Sequence, residues 1–370
     1  MEDNRIFLSS PTMHGEEQIY IKEAFATNWV APLGANVDNF EKEMAQYVGV
    51  NHAAALVSGT SAIHLAMKLS GVKCDDIVFC SDLTFSATVN PVSYEQAKQV
   101  FIDSEWDTWN MSPEALEKAF EKYPHCKVVV MVHLYGTPAK VDEVKEICDR
   151  HGAILIEDAA ESLSAKYKGK QTGSFGKYGI LSFNGNKIIT TSGGGMLLSD
   201  NEKDIKKARF WSTQSRDPAP HYQHSEIGYN YRMSNIVAGI GRGQLLHLDE
   251  HREAKKAIYE IYRTELSNLP VKMNPYEECS EPNFWLSCMT VEDSNVTPGQ
   301  IRLRLDEHNV ECRLIWKPMH LQPVFADCDY ITAGKDIGND IFNRGLCLPS
   351  DIKMTVDEQL RVIEIIKSCF

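Results

Sequence analysis

Basic charge is scarce in this chain relative to acidic charge. Its 370 residues include 38 lysines and arginines against 51 aspartates and glutamates, a formal net charge of −13. Phosphate backbones select for basic faces, so this balance argues against a nucleic-acid-binding surface. It leaves room for an anionic small molecule, because a few local donors outweigh the global field at short range. Long apolar runs are also missing: no stretch reaches the ~20 residues of a membrane span. The N-terminal MEDNRIFLSS has neither the basic start nor the apolar segment of a secretory signal. Ten cysteines are present, but none forms a CxxC pair and no Cys/His spacing suits a metal. Scattered thiols of this kind read as reduced, mostly packed side chains, and the absences together predict a cytoplasmic enzyme with no membrane or nucleic-acid partner. There is no internal repeat or low-complexity tract.

What is present is an alternation of short apolar runs and helix-like segments. The runs are IVFC (77–80), KQVFID (98–103), KVVVMVHL (127–134), AILIED (153–158) and YGILSF (178–183). Each is short and bounded by polar or turn residues, as buried parallel strands are. Amphipathic segments such as 61–70 and 141–151 lie between them, which predicts an α/β domain with a mainly parallel sheet. The texture changes after about residue 250. A charged stretch, 245–266, reads as one long helix bridging two domains, and a proline-rich polar segment follows it. The strand WLSCMTV and helices over 297–309 and 355–367 complete the chain. These features predict a large cofactor-binding domain over 1–250 and a smaller C-terminal α/β domain over 251–370, divided within 249–265.

Two residues stand out chemically. Lys187 follows an apolar run that ends in Ser182-Phe183, and it precedes Gly193-Gly194-Gly195. Asp158 ends the apolar run of AILIEDAAE, where parallel strands open onto a ligand crevice. Alone, Lys187 reads as a solvated lysine and Asp158 as a turn or capping residue. Paired, they suit a pyridoxal 5'-phosphate site: the lysine forms a Schiff base and the aspartate holds a proton on the pyridine nitrogen. Ser58-Gly59-Thr60-Ser61 feeds the helix AIHLAMKL, and a helix N-terminus offers free N–H groups to a phosphate. Its plainer reading is an N-cap. Ser182 is placed to add a hydroxyl, and Phe85 to stack on the cofactor ring or to fill the core.

With these residues in view, the chain resembles the DegT family of nucleotide-sugar aminotransferases, on the type I (aspartate) aminotransferase fold. The resemblance runs nearly end to end and rests on SGTSAIHLA, DLTFSATVNPV, VHLYG, IEDAAES, GSFGKYGILSFNGNK, GYNYRMSNIVAGIGRGQL and WKPMHLQPVF. It implies that Lys187 is the Schiff-base lysine, Asp158 the pyridine partner, and Thr60, Ser61 and Ser182 phosphate ligands. Asn230 matches an asparagine that relatives extend to the phosphate of a neighbouring subunit, which implies a homodimer with shared sites. Relatives that dehydrate their substrate carry histidine in place of Lys187. Two departures are visible: Glu161 stands where many members have Gln or His, and Ser192-Gly193-Gly194-Gly195 replaces a Gly-Glu-Gly-Gly turn. Glu161 is expected beside the cofactor's phenolate oxygen, protonated by burial and able to donate.

These departures and the phrase KPMHLQPVF are most similar to the PglE-like enzymes that aminate a UDP-linked 4-keto-6-deoxy-N-acetylhexosamine with glutamate, giving the precursor of N-acetylbacillosamine. Trp29, Arg232, Lys317 and His320 are candidates for holding the UDP-sugar. Trp29 and Trp316 read equally as core aromatics, Arg232 as an interface ion pair and Lys317 as a solvated side chain. Alternatives are amination of a GDP- or dTDP-linked keto sugar, or a cofactor-binding regulator without catalysis.

Overall fold

The apolar runs become strands because valine, isoleucine and phenylalanine suit a pleated surface buried on both faces. The computed structural model describes residues 5–293 and 295–370. In chain order the strands are β1 (His52–Leu56), β2 (Ile77–Ser81), β3 (Lys98–Ile102), β4 (Val128–Val132), β5 (Ile154–Asp158), β6 (Lys166–Tyr167), β7 (Lys170–Gln171), β8 (Tyr178–Ser182), β9 (Gly195–Ser199), β10 (Val271–Met273), β11 (Ser280–Glu281), β12 (Ser287–Val291), β13 (Arg313–Leu314), β14 (Asp329–Ile331) and β15 (Gly345–Leu348). An eight-stranded sheet has the order β1-β9-β8-β5-β4-β2-β3-β14. It is parallel from β8 to β14, while β9 runs antiparallel to β1 and β8. A four-stranded antiparallel sheet, β10-β12-β15-β13, lies in the C-terminal part, and β11-β6-β7 make a small third sheet.

Side chains alternate across the large sheet, and each face meets helices. Val78, Val130 and Ile156 pack with Ile63 and Met67 of the helix Gly59–Leu69. Val129, Met131 and Leu155 face Leu116 and Phe120 of Pro113–Lys122 and Val144 of Val141–His151. Burying each such side chain contributes roughly 1.5–3 kcal/mol. The four-stranded sheet packs on the helices Leu248–Glu265, Pro298–Glu307 and Val356–Lys367 through Met289, Leu346, Ile258, Ile301 and Ile363. A further cluster, including Leu134, Tyr135, Trp285, Cys288 and Ile315, sits between the two sheets.

The chain's packing bears on three expectations. The long helix expected over 245–266 runs from Leu248 to Glu265, and a separate helix, Asn235–Leu245, ends just before it. The break falls at His247, whose ring stacks on His14 at 3.8 Å and reaches Glu16 and Glu250. Backbone pairing also crosses the division near 249–265, as where β11 pairs with β6. β14 adds to the edge of the large sheet beside β3, and Ile6 bridges to Val310 in the C-terminal part. Finally, the strand expected from Trp285 starts only at Ser287. Phe284 takes a left-handed φ of 55°, which turns Trp285 out of the strand line. Among the described residues, no helix is long and apolar enough to cross a membrane.

Candidate active site

Parallel strands present their carboxyl ends along one edge, and loops leaving that edge enclose a crevice. Asp158 is the last residue of β5 and Ser182 the last of β8, while Thr84 and Phe85 follow β2. All four line a cavity of ≈ 300 Å³, as do Thr60, Glu161 and Lys187. Residues scattered along the sequence thus meet because their strands are neighbours.

Lys187 projects from the turn between β8 and β9. Hydrogen bonds from Phe183 N to Gly194 O and from Thr191 N to Phe183 O, both 2.9 Å, close that turn. The Lys187 side chain is only 13% exposed, so it is not a solvated surface lysine. Its Nζ lies 3.7 Å from Glu161 Oε1 and 4.0 Å from the centre of the Trp285 ring. The ring face attracts an ammonium group and helps hold the amine inside the cavity.

Asp158 is buried and accepts a hydrogen bond from Thr88 Oγ1 at 2.6 Å and one from Ala160 N at 3.1 Å. Burial raises its pKa; the Thr88 hydroxyl, the Ala160 amide and the charge of Lys187 oppose that shift without cancelling it. A protonated pyridine nitrogen is the kind of partner that would favour the ionised carboxylate. Glu161 is equally buried. Its Oε2 accepts from Tyr135 N at 2.7 Å, and burial raises its pKa despite Lys187 and that amide, with Asp158 adding to the rise.

The opposite end of the cavity is the start of the helix Gly59–Leu69. Ser58 caps it, accepting from Ser61 N at 3.0 Å, and its hydroxyl also meets Ser61 Oγ at 2.7 Å. First-turn N–H groups have no intrahelical acceptor and the helix dipole is positive there, so this end suits a phosphate. A Cβ on Gly59 would stand 3.2 Å from Ser182 Cβ, so glycine lets the end of β8 close on the helix start. Thr60 and Ser182 line the cavity as expected. Ser61 does not: its hydroxyl is turned to Ser58, and Ser58 lines the cavity in its place. Phe85 is 51% exposed and lines the cavity, with its ring 5.4 Å from that of Trp316. It is therefore an open stacking face, not a core residue.

The expected sugar ligands are not brought to this cavity within one chain. His320 is the clearest correction. Its backbone N donates to Asp82 Oδ1, its Nδ1 meets Asp82 Oδ2 at 2.7 Å, and its Nε2 lies 3.4 Å from Asp336. Burial opposes its protonation, yet Asp82, Asp336 and Asp103 raise its pKa overall, so both ring nitrogens serve a carboxylate network. Lys317 is exposed, and Arg232 pairs through its backbone with Leu56. Trp29 is exposed on the surface, its carbonyl accepting from Asn235 Nδ2. Asn230 is also exposed and bridges to Thr213, away from the cavity of its own chain.

Thr84, Thr88, Asn186 and Trp285 also line the cavity and escaped the sequence reading, while Ser58 entered it only within the helix-start motif and Trp316 only as a core aromatic. Only Thr84 and Thr88 carried a signal, since the helical turn Ser86–Thr88 and the spacing of four bring their hydroxyls within 2.6 Å. The tryptophans come from distant segments and had none.

The arrangement fits pyridoxal phosphate. It offers an enclosed amine, a buried carboxylate with one fixed edge, an open aromatic face and a helix N-terminus within one cavity. Comparison with known proteins agrees. Residues 11–367 match the DegT/DnrJ/EryC1/StrS aminotransferase family. The chain is 53% identical over 374 residues to EpsN of Bacillus subtilis (strain 168), covering 99% of this chain and 96% of that one. The name of that relative assigns it provisionally to the pyridoxal phosphate-dependent aminotransferases. A GDP-perosamine synthase of Caulobacter vibrioides is 35% identical over 364 residues, with 97% and 96% covered. The crystal structure of a DegT DnrJ EryC1 StrS aminotransferase from Brucella abortus aligns with a TM-score of 0.88 at 26% identity, over 96% of this chain and 95% of that one. The fold is thus the type I aminotransferase fold, and the chain belongs to the DegT/DnrJ/EryC1/StrS aminotransferase family as a pyridoxal-phosphate-dependent nucleotide-sugar aminotransferase.

Proposed function

We propose that the chain moves an amino group from glutamate to the 4-keto carbon of a UDP-linked 4-keto-6-deoxy-N-acetylhexosamine, in the cytoplasm. Glutamate leaves as 2-oxoglutarate and the keto sugar as the 4-amino sugar, so nitrogen and electrons balance between the two. The observation that carries the aminotransfer is the enclosed amine of Lys187 in one cavity with the buried carboxylate of Asp158. Bound pyridoxal phosphate supplies an electron sink that lets an amine and a ketone exchange places. Asp158 holds the proton on the ring nitrogen, and Thr88 and Ala160 fix the carboxylate that does so. Phe85 covers one ring face, while Thr60, Ser182 and the helix N-terminus hold the phosphate. Lys187 Nζ takes and returns the proton at the carbon bearing the amino group, as a general base and then an acid. Glu161, whose carboxyl burial biases towards the protonated form, is placed to donate to the ring oxygen.

Asn230 is exposed on its own chain and reaches the phosphate in the cavity of a second copy. Ile19, Phe25, Trp29, Val30 and Leu33, exposed apolar side chains close together in the sequence, support such a partner, because apolar surface is costly to leave in water. In that homodimer Trp29 and Arg232 are candidates for contacting the sugar nucleotide at the neighbouring cavity. A monomer by sedimentation at micromolar concentration would sink this part.

The UDP-linked N-acetyl sugar is supported by the Glu161 and Ser192-Gly193-Gly194-Gly195 departures and by KPMHLQPVF. A second reading, a GDP-linked keto sugar, is favoured by relatives named GDP-perosamine synthase. One experiment separates them. The purified protein with pyridoxal phosphate is mixed with glutamate, then with UDP-4-keto-6-deoxy-N-acetylglucosamine or a GDP-4-keto-6-deoxyhexose. The cofactor's visible band should fall with glutamate and return with the UDP-sugar. Return with the GDP-sugar alone would establish the second reading, and no fall with glutamate would exclude glutamate as donor.

A further inference from the structure

Among the described residues, a few buried side-chain polar atoms lack a hydrogen-bond partner, and all but one are oxygens. The exception is Trp316 Nε1, which also belongs to the only one of these residues that lines the cavity at Lys187. An indole N–H can only donate, so a buried one without an acceptor is unfavourable unless a ligand completes it. The ring is not free to turn away. Trp316 N donates to Tyr135 Oη at 2.9 Å, its ring stacks on Tyr135 at 5.8 Å and 19°, and Phe85 lies against it at 5.4 Å. The indole is close enough to Glu161 to oppose the burial-driven rise in that carboxyl's pKa, yet it does not reach hydrogen-bonding geometry with it. Glu161 itself has Oε2 engaged by the Tyr135 amide and Oε1 directed at Lys187. Lys187 is the only cationic side chain among the residues lining this cavity. Within one chain, an anionic oxygen bound there is therefore met largely by neutral donors.

We propose that the Trp316 N–H binds an anionic oxygen of the ligand held at Lys187, beside the Glu161 carboxyl. This rests on the aminotransferase reading and adds a ligand-binding residue to it. Two oxygens have the required chemistry: the ring oxygen of pyridoxal phosphate and the carboxylate of the amino donor.

The test compares wild type with Trp316→Phe, which keeps an aromatic ring and removes the N–H. Apo-protein is titrated with pyridoxal phosphate and with its 3-deoxy analogue, which lacks the ring oxygen. The loaded proteins are then titrated with glutamate and followed by the cofactor band. If the ring oxygen is the target, Trp316→Phe weakens pyridoxal phosphate about tenfold and leaves the 3-deoxy analogue within twofold. If the donor carboxylate is the target, cofactor affinity holds and the glutamate concentration for half-conversion rises about tenfold. Equal losses for both cofactor forms would mean that only packing was lost, which overturns the proposal. So would changes within twofold throughout. A wild-type protein that binds pyridoxal phosphate but does not respond to glutamate refutes the donor in the functional reading; the cofactor titrations still decide the ring-oxygen arm.

Discussion

In the proposed function Lys187 and Asp158 work as a pair, and each is held in place by other residues. On the proposed reading Lys187 supplies both the covalent attachment and the proton transfer, so Lys187→Ala should bind the cofactor weakly and show no steady turnover. Turnover near the wild-type rate would refute its assignment. Asp158 depends on a short chain of hydroxyls. Thr88 donates to Asp158 Oδ2, which leaves the Thr88 oxygen to accept from Thr84 at 2.6 Å. A hydrogen bond to the ionised carboxylate lowers its pKa, so removing it must raise a pKa that burial has already pushed up. Thr88→Val keeps the shape and deletes the donor. We expect roughly tenfold lower kcat/KM at neutral pH, with the acidic limb of the pH–rate profile moved to higher pH. Thr88→Ser should restore both. A uniform drop with an unmoved limb would assign Thr88 to packing alone.

At the scale of elements, the three glycines after Lys187 have three different jobs. A Cβ at Gly193 would meet nothing within 4 Å. At Gly194 it would press on Thr191 Oγ1 and Met233 Cε, side-chain ends with some freedom to move. At Gly195, the first residue of β9, it would lie 2.2 Å from the Ser58 carbonyl carbon and 2.3 Å from Gly59 N. Those are backbone atoms of the phosphate-facing turn, and β9 pairs with β1 immediately before that turn. Gly195→Ala should therefore displace the turn, cost at least the ~1–3 kcal/mol of an overpacked site and weaken pyridoxal phosphate binding. Gly193→Ala should change neither, and equal behaviour of the two variants in cofactor titrations and thermal melts would contradict this account. The same region shows why some of the chain was legible and some was not. IVFC, KVVVMVHL and AILIED announce themselves as strands, and Asp158 and Ser182 fall at strand ends by simple counting. β1 is HAAAL, whose alanines carry little strand preference, and it is a strand because β9 and two core clusters surround it. Trp285 and Trp316 reach the cavity through a left-handed residue at Phe284 and a stack on Tyr135, contacts between distant segments that no local spacing encodes.

Across the whole molecule, one buried cation ties the C-terminal sheet to the catalytic cavity. Lys255 belongs to the helix Leu248–Glu265, and its Nζ donates to Ser350 O at 2.8 Å and Trp285 O at 3.1 Å, with Ser9 Oγ at 3.5 Å. The first two carbonyls lie just after β15 and just before β12, and the Trp285 ring in turn covers Lys187. Among the described residues no carboxylate is bonded to this ammonium; burial lowers its pKa from 10.5 to about 8, with only the charge of Asp351 opposing. A base whose pKa is lower in the folded chain than in the unfolded one weakens the fold while both states hold the proton. That cost is complete below about pH 8 and is relieved as the pH climbs towards 10.5, because the folded chain sheds its proton first. Lys255→Met removes the titration while keeping an unbranched side chain. Urea unfolding under reducing conditions at pH 7 and pH 9.5 should show wild type gaining about 2 kcal/mol relative to the variant over that interval. The comparison with Lys255→Met cancels the tyrosines and cysteines that titrate in the same range. A difference that stays flat would mean Lys255 keeps its proton in the folded state throughout. Its three oxygen partners would then hold the charge as well as water does, and the link between sheet and cavity would carry no pH dependence.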